Sequence, residues 1–135
     1  MDWVAWARGN TDPDEAGWKA EALKDVLVLD LSYGSFAGLF AGSLFSEMGA
    51  RVIKIEPPDG DIARKMTPFG EFIRETGLPY LVEGRNKEHV TLDITTAAGK
   101  DLLLRMVRKA DVLIETFPPS VMENMGLGYG SLKAV

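Results

Sequence analysis

The apolar residues of this chain fall into short runs separated by polar turns, and four of these runs resemble β-strands. Residues 26–31 (VLVLDL) and 52–55 (VIKI) are nearly continuous apolar runs. Such runs are typical of parallel strands that are covered on both faces. Residues 112–114 (VLI) form a third run, and residues 89–93 (HVTLD) form a shorter, more polar one. We therefore predict strands at these four positions.

Helical patterns connect the predicted strands. Residues 36–48 form a glycine-dotted apolar helix that Gly49 ends, and Thr95 or Thr96 caps a helix that runs to about residue 109. Ser120 caps a short helix that Gly126 ends. This alternation predicts an α/β fold, a Rossmann-like and mainly parallel sheet with helices on both faces and right-handed crossovers.

Two stretches lie outside this alternation. Residues 59–84 carry glycines, prolines and scattered charges, which predicts a long excursion with one or two helical turns. Near the N-terminus, Asp12-Pro13 is a helix start, and a short helix is expected to reach about Leu23. The arm before it holds Trp3 and Trp6. Two tryptophans in a short arm indicate docking onto another surface.

The last residues also bear on domain organisation. Ser131 is predicted to cap a helix, with only a few residues following it. A helix begun so close to the final residue indicates a portion of a longer protein. We divide the chain into an N-terminal arm and short helix at residues 1–24 and an incomplete Rossmann-like domain at residues 25–135.

Composition narrows the function classes. The chain has 135 residues, 46% hydrophobic and 26% charged, with a net charge of −5. An acidic protein lacks the basic face that nucleic acid requires. Without cysteine it has no disulfide, thiolate metal site or cysteine nucleophile. The longest apolar run is about half of what spans a bilayer, and the N-terminus is not a secretory signal. We expect a cytoplasmic protein that binds neither membrane nor nucleic acid.

The first strand, helix and second strand form a β-α-β unit whose glycines argue against a dinucleotide. Gly34, Gly38 and Gly42 are spaced by four, whereas the dinucleotide fingerprint is G-x-G-x-x-G at the turn itself. Gly38 and Gly42 are predicted to allow close packing of the helix on the sheet. Gly34 lies in the turn, where backbone N–H groups could approach a phosphate.

Three acids end predicted strands, namely Asp30, Glu56 and Glu115. The carboxyl ends of parallel strands meet at one edge, so these side chains are expected at one rim. They could include a general base. The favoured interpretation is structural, because acids at such turns accept hydrogen bonds from loop N–H groups.

The cations in and beside the excursion have two interpretations. Arg64, Lys65 and residues 85–87 (RNK), together with Lys54, are either a solvated surface or a small basic patch for one anionic ligand. His89, the only histidine, is expected at the surface or rim, and no metal site is predicted. Phe117, flanked by proline, is either core or a stacking surface for a flat ring.

Four stretches together resemble one family. They are VLDLSYGSFAG at 28–38, GARVIKIEPPDGD at 49–61, RNKEHVTLD at 85–93 and DVLIETFPPSVMENMGLGY at 111–129. In this order and spacing they resemble the N-terminal part of class III CoA-transferases, also called the CaiB/BaiF family. The resemblance covers about residues 25–135.

The resemblance implies an enzyme that moves CoA between an acyl-CoA donor and a carboxylic acid. Its nucleophile is an aspartate that forms a mixed anhydride and then a CoA thioester. That aspartate lies beyond the GLGY stretch, so no acid of this chain takes the role, and the chain alone is expected to be inactive. CoA is a substrate, and no cofactor is permanently bound. The family further implies an interlocked homodimer, or a heterodimer with a related subunit.

The resemblance also assigns CoA-binding positions. They are Gly34, Ser35, Arg64, Arg85, Asn86, Lys87, Thr116 and Phe117. The Gly34-Ser35 turn corresponds to the segment beside CoA and the active site, and residues 85–87 correspond to a loop at the nucleotide end. Thr116-Phe117 corresponds to a pair near the adenine and pantetheine.

Several positions depart from the family pattern. Pro57, Glu88 and Asn124 stand where many members carry arginine, and Ser35 replaces a larger polar residue of some relatives. Three positive charges are therefore missing from the nucleotide end. This leaves two alternatives to an active transferase, which are an acyl-CoA racemase of the same fold and a non-catalytic partner subunit.

Overall fold

The computed structural model describes Asp2, Ala5 and residues 21–135. Its main sheet has four parallel strands, β1 (Leu27–Asp30), β2 (Arg51–Glu56), β5 (Glu88–Thr91) and β6 (Val112–Ile114), in the order β5-β2-β1-β6. The α/β fold with a mainly parallel sheet is confirmed. The predicted arm, its tryptophans and most of the helix between Asp12 and Leu23 lie outside the described residues.

Helices connect the strands. They are α1 (Phe36–Glu47), α2 (Leu78–Glu83), α3 (Ala97–Val107), α4 (Val121–Asn124) and α5 (Tyr129–Lys133). The excursion holds the 3-10 helix Ile62–Lys65, α2, and a small antiparallel hairpin of β3 (Phe72–Ile73) and β4 (Thr76–Gly77). The helical turns of the excursion were predicted. The hairpin was not, since strands of two residues leave no periodic pattern. Among the described residues, no helix is long and apolar enough to cross a membrane.

Alternate residues of β1 and β2 point to opposite faces of the sheet. Val28 and Val52 pack in one cluster with Phe45 of α1. Leu29 and Ile55 pack in another cluster with α3, whose Leu103 is fully buried. Helices therefore cover both faces, as predicted. We call these surfaces the α1 face and the α3 face.

Two predicted helix starts differ from the structure. Ser131 lies inside α5, whose N-cap is Gly128, so its predicted capping role is wrong. Ser120 does precede α4, but it has a left-handed φ of 69° and makes no side-chain capping bond. In contrast, Thr96 caps α3 by accepting a hydrogen bond from Gly99 N–H.

Candidate functional site

The carboxyl ends of the strands border a cavity of about 320 Å³ on the α3 face. Most of its lining is apolar, and the members of the lining are Leu31, Tyr33, Ile55, Glu56, Pro57, Leu92, Asp93, Ile94, Thr95, Phe117, Val121 and Met125. Open α/β sheets bind ligands at this edge, where the strand order reverses. In the order β5-β2-β1-β6, the reversal falls between β1 and β6. The turn after β1 supplies Tyr33 to the cavity, and the turn after β6 supplies Phe117.

Phe117 is held at the cavity by its own turn. Its backbone N–H donates to Glu115 Oε2 at 2.7 Å. The neighbouring Thr116 Oγ1 accepts from Tyr33 N–H at 3.0 Å and lies 3.3 Å from the Tyr33 carbonyl oxygen. The turns after β1 and β6 are therefore joined directly. Phe117 both packs against the α3-face cluster and lines the cavity, so the two alternatives of core and ligand surface are compatible.

Gly34 and Ser35 lie in the turn after β1. Gly34 has a φ of +61°, a conformation that favours glycine, and its N–H donates to Asp61 Oδ1 at 2.8 Å. Ser35 caps α1, its hydroxyl accepting from Gly38 N–H at 3.4 Å. These polar groups are thus engaged within the protein.

The three acids after the strands all accept hydrogen bonds from the loops that follow. Asp30 Oδ1 accepts from Ser32 N–H at 3.0 Å, and Glu56 Oε2 accepts from Asp61 N–H at 2.9 Å. Glu115 holds Phe117 in the same way. The structural interpretation of these acids is confirmed. The prediction that they share one rim is wrong, because Asp30 is fully buried under α1, and of the three only Glu56 lines the cavity.

Glu56 is the centre of a charged cluster at this edge. Arg64 donates two hydrogen bonds to its oxygens, both at 2.6 Å, and His89 Nδ1 lies 2.9 Å from Glu56 Oε1. Burial alone would raise the pKa of Glu56, but the bonds from Arg64, His89 and the Asp61 N–H lower it well below its ordinary value. The carboxylate is therefore ionised.

Arg64 is likewise held in place. Its bonds to Glu56 raise the pKa of its guanidinium, and its guanidinium carbon lies 4.4 Å from the centre of the Tyr80 ring. Burial, and then the negative charge of Glu56, raise the pKa of the Tyr80 hydroxyl. Arg64 and His89 line a second, more polar cavity of about 190 Å³. That cavity shares Glu56 and Pro57 with the larger one.

Lys87 does not reach the cavities. Its side chain is fully buried, and its Nζ donates to Asp30 Oδ2 at 3.0 Å and to the Leu39 carbonyl at 2.7 Å. Burial lowers the pKa of Lys87, and the charge of Asp30 partly offsets this. A β-carbon on Gly42 would lie 2.7 Å from both Asp30 Oδ2 and Lys87 Nζ. The predicted close packing at Gly42 is thus confirmed, although part of what packs there is an ion pair.

Lys54 is also fully buried. Its Nζ lies 3.0 Å from Asp61 Oδ2 and 3.8 Å from Asp30 Oδ1, and it donates to the Ser32 carbonyl. The interpretation of Lys54 as part of a solvated surface is wrong, because its position on β2 directs it under α1. Lys54 lies two residues after Val52 on β2, and residues two apart on a strand point to the same face, which here is the α1 face.

The other residues of the predicted basic loop lie farther out. Arg85 donates to Glu47 Oε1 at 2.7 Å, which raises the pKa of the guanidinium, and also lies 3.3 Å from Glu83 Oε2. Asn86 is exposed and has a left-handed φ of 58°. Of the predicted CoA-binding positions, Phe117 lines the larger cavity and Arg64 lines the adjoining one. Thr116 contacts Tyr33, which lines the larger cavity, whereas the Gly34-Ser35 turn lines neither and Arg85 and Lys87 form ion pairs elsewhere.

Most of the cavity lining was not singled out from the sequence. Leu92, Ile94, Val121 and Met125 look like ordinary core positions there. The one available signal was that Ile94 follows a predicted strand and Val121 follows a predicted cap. Among the described residues, no group of three or more His, Asp or Glu side chains is arranged to hold a metal ion.

Residues 23–135 match the family model of CoA-transferase family III. A probable fatty acyl-CoA transferase of Mycobacterium tuberculosis is 37% identical over 115 residues, which are 85% of this chain and 29% of that protein. The alpha subunit of a succinyl-CoA–L-malate CoA-transferase of Chloroflexus aurantiacus is 38% identical over 113 residues, covering 83% of this chain and 26% of that one.

A solved structure gives the same result. The crystal structure of a CaiB/BaiF family protein from Brucella suis matches with a TM-score of 0.77 at 33% identity, covering 86% of this chain and 31% of that one. The chain therefore spans less than a third of the length of the relatives it matches.

Proposed function

The chain belongs to CoA-transferase family III, and from that membership we propose that it supplies the CoA-binding part of an enzyme that transfers CoA from an acyl-CoA to a carboxylic acid. The observation that carries this proposal is the apolar cavity at the carboxyl edge of the sheet, next to the reversal of strand order. Residues 25–135 then form the N-terminal part of the CoA-binding domain, working in the cytoplasm.

The two adjoining cavities suit different parts of CoA. The larger is apolar and holds Phe117, which offers a flat ring for adenine or an apolar wall for pantetheine. The smaller contains Arg64, whose side chain is 33% exposed and could meet a phosphate. The Gly34-Ser35 turn and Thr116 complete one wall through their contacts with Tyr33 and Asp61.

The three residues of the loop at 85–87 are proposed to act in two different ways. Asn86 is exposed and is proposed to contact the nucleotide end directly. Arg85 and Lys87 act through the segments that their ion pairs hold, since Lys87 is enclosed by Asp30 and α1.

The nucleophile of the transfer is proposed to be an aspartate outside residues 1–135. Its carboxylate attacks the thioester carbonyl, releasing the CoA thiolate and forming a mixed anhydride, and the thiolate then displaces the acyl carboxylate to give an enzyme thioester. The environments of the acids described here support this assignment. Asp30 is fully buried beside Lys87, Glu56 is paired with Arg64, and Glu115 holds the Phe117 N–H.

Calorimetric titration of this chain with CoA tests the binding proposal. We expect saturable binding that Phe117→Leu weakens about tenfold, because an aromatic stacking surface contributes about 1–3 kcal/mol per base. The control is Phe69→Leu, since Phe69 is 83% exposed in the excursion and lines neither cavity. Absence of CoA binding, or an equal loss in both variants, would contradict the proposal.

The transfer itself is tested on a longer protein that includes this chain. Incubation with an acyl-CoA and hydroxylamine should inactivate it by trapping the activated carboxylate as a hydroxamate. Full retention of activity would count against the covalent route. Incorporation of solvent deuterium at the α-carbon of an acyl-CoA, without an acceptor acid, would instead indicate a racemase.

A second candidate is a subunit that pairs with an active partner, and two observations favour it. Pro57 lines the cavity, Glu88 forms an ion pair with Arg51 at 2.8 Å, and Asn124 is exposed on α4, so none of these positions supplies the positive charge expected from the resemblance. One relative is named as an alpha subunit. Purification of a fully active homo-oligomer would exclude this candidate.

A further inference from the structure

The turn between β1 and α1 joins the two faces of the sheet. Ser32 is buried on the α1 face, whereas the next residue, Tyr33, lines the larger cavity. Gly34 follows with its positive φ of 61°. Whatever holds the backbone of residues 32–34 therefore also sets one wall of the cavity.

Buried charged side chains hold this backbone at three points. Asp30 Oδ1 accepts from Ser32 N–H at 3.0 Å and from the Ser32 hydroxyl at 2.5 Å. Asp61 Oδ1 accepts from Gly34 N–H at 2.8 Å. Lys54 Nζ donates to the Ser32 carbonyl. Asp30 and Lys54 lie on the α1 face, and none of the three charged side chains lines either cavity.

Lys54 is the element that connects the two carboxylates. Its Nζ lies 3.0 Å from Asp61 Oδ2 and 3.8 Å from Asp30 Oδ1. Lys87 contacts the second oxygen of Asp30 at 3.0 Å. The side chains of Lys54, Lys87 and Asp30 are 0% exposed and that of Asp61 is 1% exposed, so two positive and two negative charges balance in a closed space.

The chemistry of Asp61 depends most on Lys54. Its Oδ2 atom has no well-aligned hydrogen-bond donor among the described residues, and the cation in direct contact with it is the Lys54 ammonium group at 3.0 Å. A buried carboxylate that loses its cation must move towards water, recruit water or become protonated. Each of these responses would disturb the acceptor that orients Gly34 N–H.

We propose that Lys54 is a positioning residue, which sets the turn at residues 32–34, and with it Tyr33 at the cavity, by holding Asp61 and the Ser32 carbonyl. It touches no ligand itself. Its effect on CoA rests on the proposed function, whereas its effect on the turn does not.

Amide hydrogen exchange tests the effect on the turn. In Lys54→Met, exchange of Gly34 N–H should accelerate about tenfold or more relative to Leu103 N–H of α3, because the acceptor of Gly34 loses its counter-ion. The control is Arg51→Met on the same strand. It breaks an ion pair with Glu88 whose side chains are 62% and 56% exposed, and it should leave the ratio unchanged. An equal acceleration at Gly34 and Leu103 would mean that Lys54 only stabilises the fold, and the proposal would be wrong.

A compensating variant separates charge from packing. In Lys54→Met with Asp61→Asn, the asparagine oxygen still accepts from Gly34 N–H and no buried charge is left uncompensated, since Asp30 keeps Lys87. The Gly34-to-Leu103 exchange ratio should return to within about twofold of the wild type. Failure of this rescue would overturn the proposal. If Lys54→Met alone does not fold, recovery of folding and of the ratio in the double variant still decides the question.

CoA titration of the same variants tests the link to the cavity. Lys54→Met should weaken CoA binding about tenfold, the double variant should recover it, and Arg51→Met should match the wild type. If the wild type binds no CoA, the proposed function is wrong, but the amide exchange ratio still tests whether Lys54 positions the turn. If CoA binds equally to all variants although the turn is disturbed, the assigned effect of Lys54 on the cavity is refuted.

Discussion

The two faces of the sheet differ sharply at the same carboxyl edge. Under α1, residues near the carboxyl ends of β1 and β2 are charged and fully buried, as Asp30 and Lys54 show, and they pair with Lys87 and Asp61. Under α3, residues one position away, Leu31 and Ile55, are apolar and border an open cavity. The difference teaches that a charged residue beside a binding crevice need not face it, because adjacent strand residues point in opposite directions.

The largest expected effect comes from breaking the buried pair of Lys87 and Asp30. Lys87→Met should lower the free energy of unfolding by about 3–5 kcal/mol, because it leaves the Asp30 carboxylate buried with less compensation. Urea denaturation measures the loss. The control is Lys109→Met at an exposed position just after α3, which should change the unfolding free energy by less than about 0.5 kcal/mol. If both variants lost equally little unfolding free energy, the Asp30 carboxylate without Lys87 would cost no more under α1 than a charge at the surface, and the prediction would be wrong.

The second effect concerns Glu56 and depends on pH. Its pKa is lower in the folded chain than in the unfolded one, so its ionisation stabilises the fold above the unfolded pKa of about 4.3, and that contribution disappears as pH falls towards the folded pKa. Glu56→Gln should therefore cost about 2 kcal/mol near neutral pH. Its deficit relative to the wild type should shrink below about pH 4. A deficit that stays constant with pH in urea titrations would contradict this assignment.

The third effect tests how tightly the α1 face is packed. Gly42→Ala should destabilise the chain by about 1–3 kcal/mol, since the new methyl group would displace Lys87 or Asp30, and this outweighs the gain in helix propensity. Gly130→Ala in α5 is the matched control, because no atom lies within 4 Å of its added β-carbon among the contacts described. Thermal unfolding measures the change in melting temperature of each variant, and the two changes should differ in sign or clearly in size. Equal changes in melting temperature would refute the close packing at Gly42.

The smallest effect on stability is expected on the α3 face. Val121→Phe adds volume towards the cavity of about 320 Å³, so the free energy of unfolding should change by less than about 1 kcal/mol. CoA affinity should nevertheless fall about tenfold, because the side chain occupies the proposed adenine or pantetheine space. A loss of stability as large as that of Gly42→Ala would show that the two faces are equally packed.

The site was predictable where local chemistry decides it. The turn at Gly34, a helix cap at Thr95 or Thr96, and the acids after the strands were all identified from residue type and position, and the structure selects Thr96. The cap and the acids accept hydrogen bonds from backbone N–H groups only a few residues away. The turn at Gly34 also depends on a distant residue, because its N–H donates to Asp61. That contact joins residues far apart in the chain, and no local pattern indicates it.

The cations show where such prediction stops. Arg64, Arg85 and Lys87 were grouped because they lie near one another in the sequence. In the structure Arg64 faces Glu56, Arg85 faces Glu47, and Lys87 is enclosed beneath α1. Their partners come from three different segments, so only the folded chain determines which charge each one meets.

The sequence by itself determined the order of strands and helices, the parallel sheet, the absence of a dinucleotide fingerprint and the resemblance to its family, because these follow from periodicity, turn chemistry and spacing along the chain. The tertiary structure alone decided which residues share a space. It placed Lys54 and Lys87 with Asp30 and Asp61 under α1, and it left Phe117 with apolar neighbours at the cavity. The physical reason is that charge pairing and cavity shape depend on strand register and on the side of the sheet that each residue faces, which are set only when distant segments pack together.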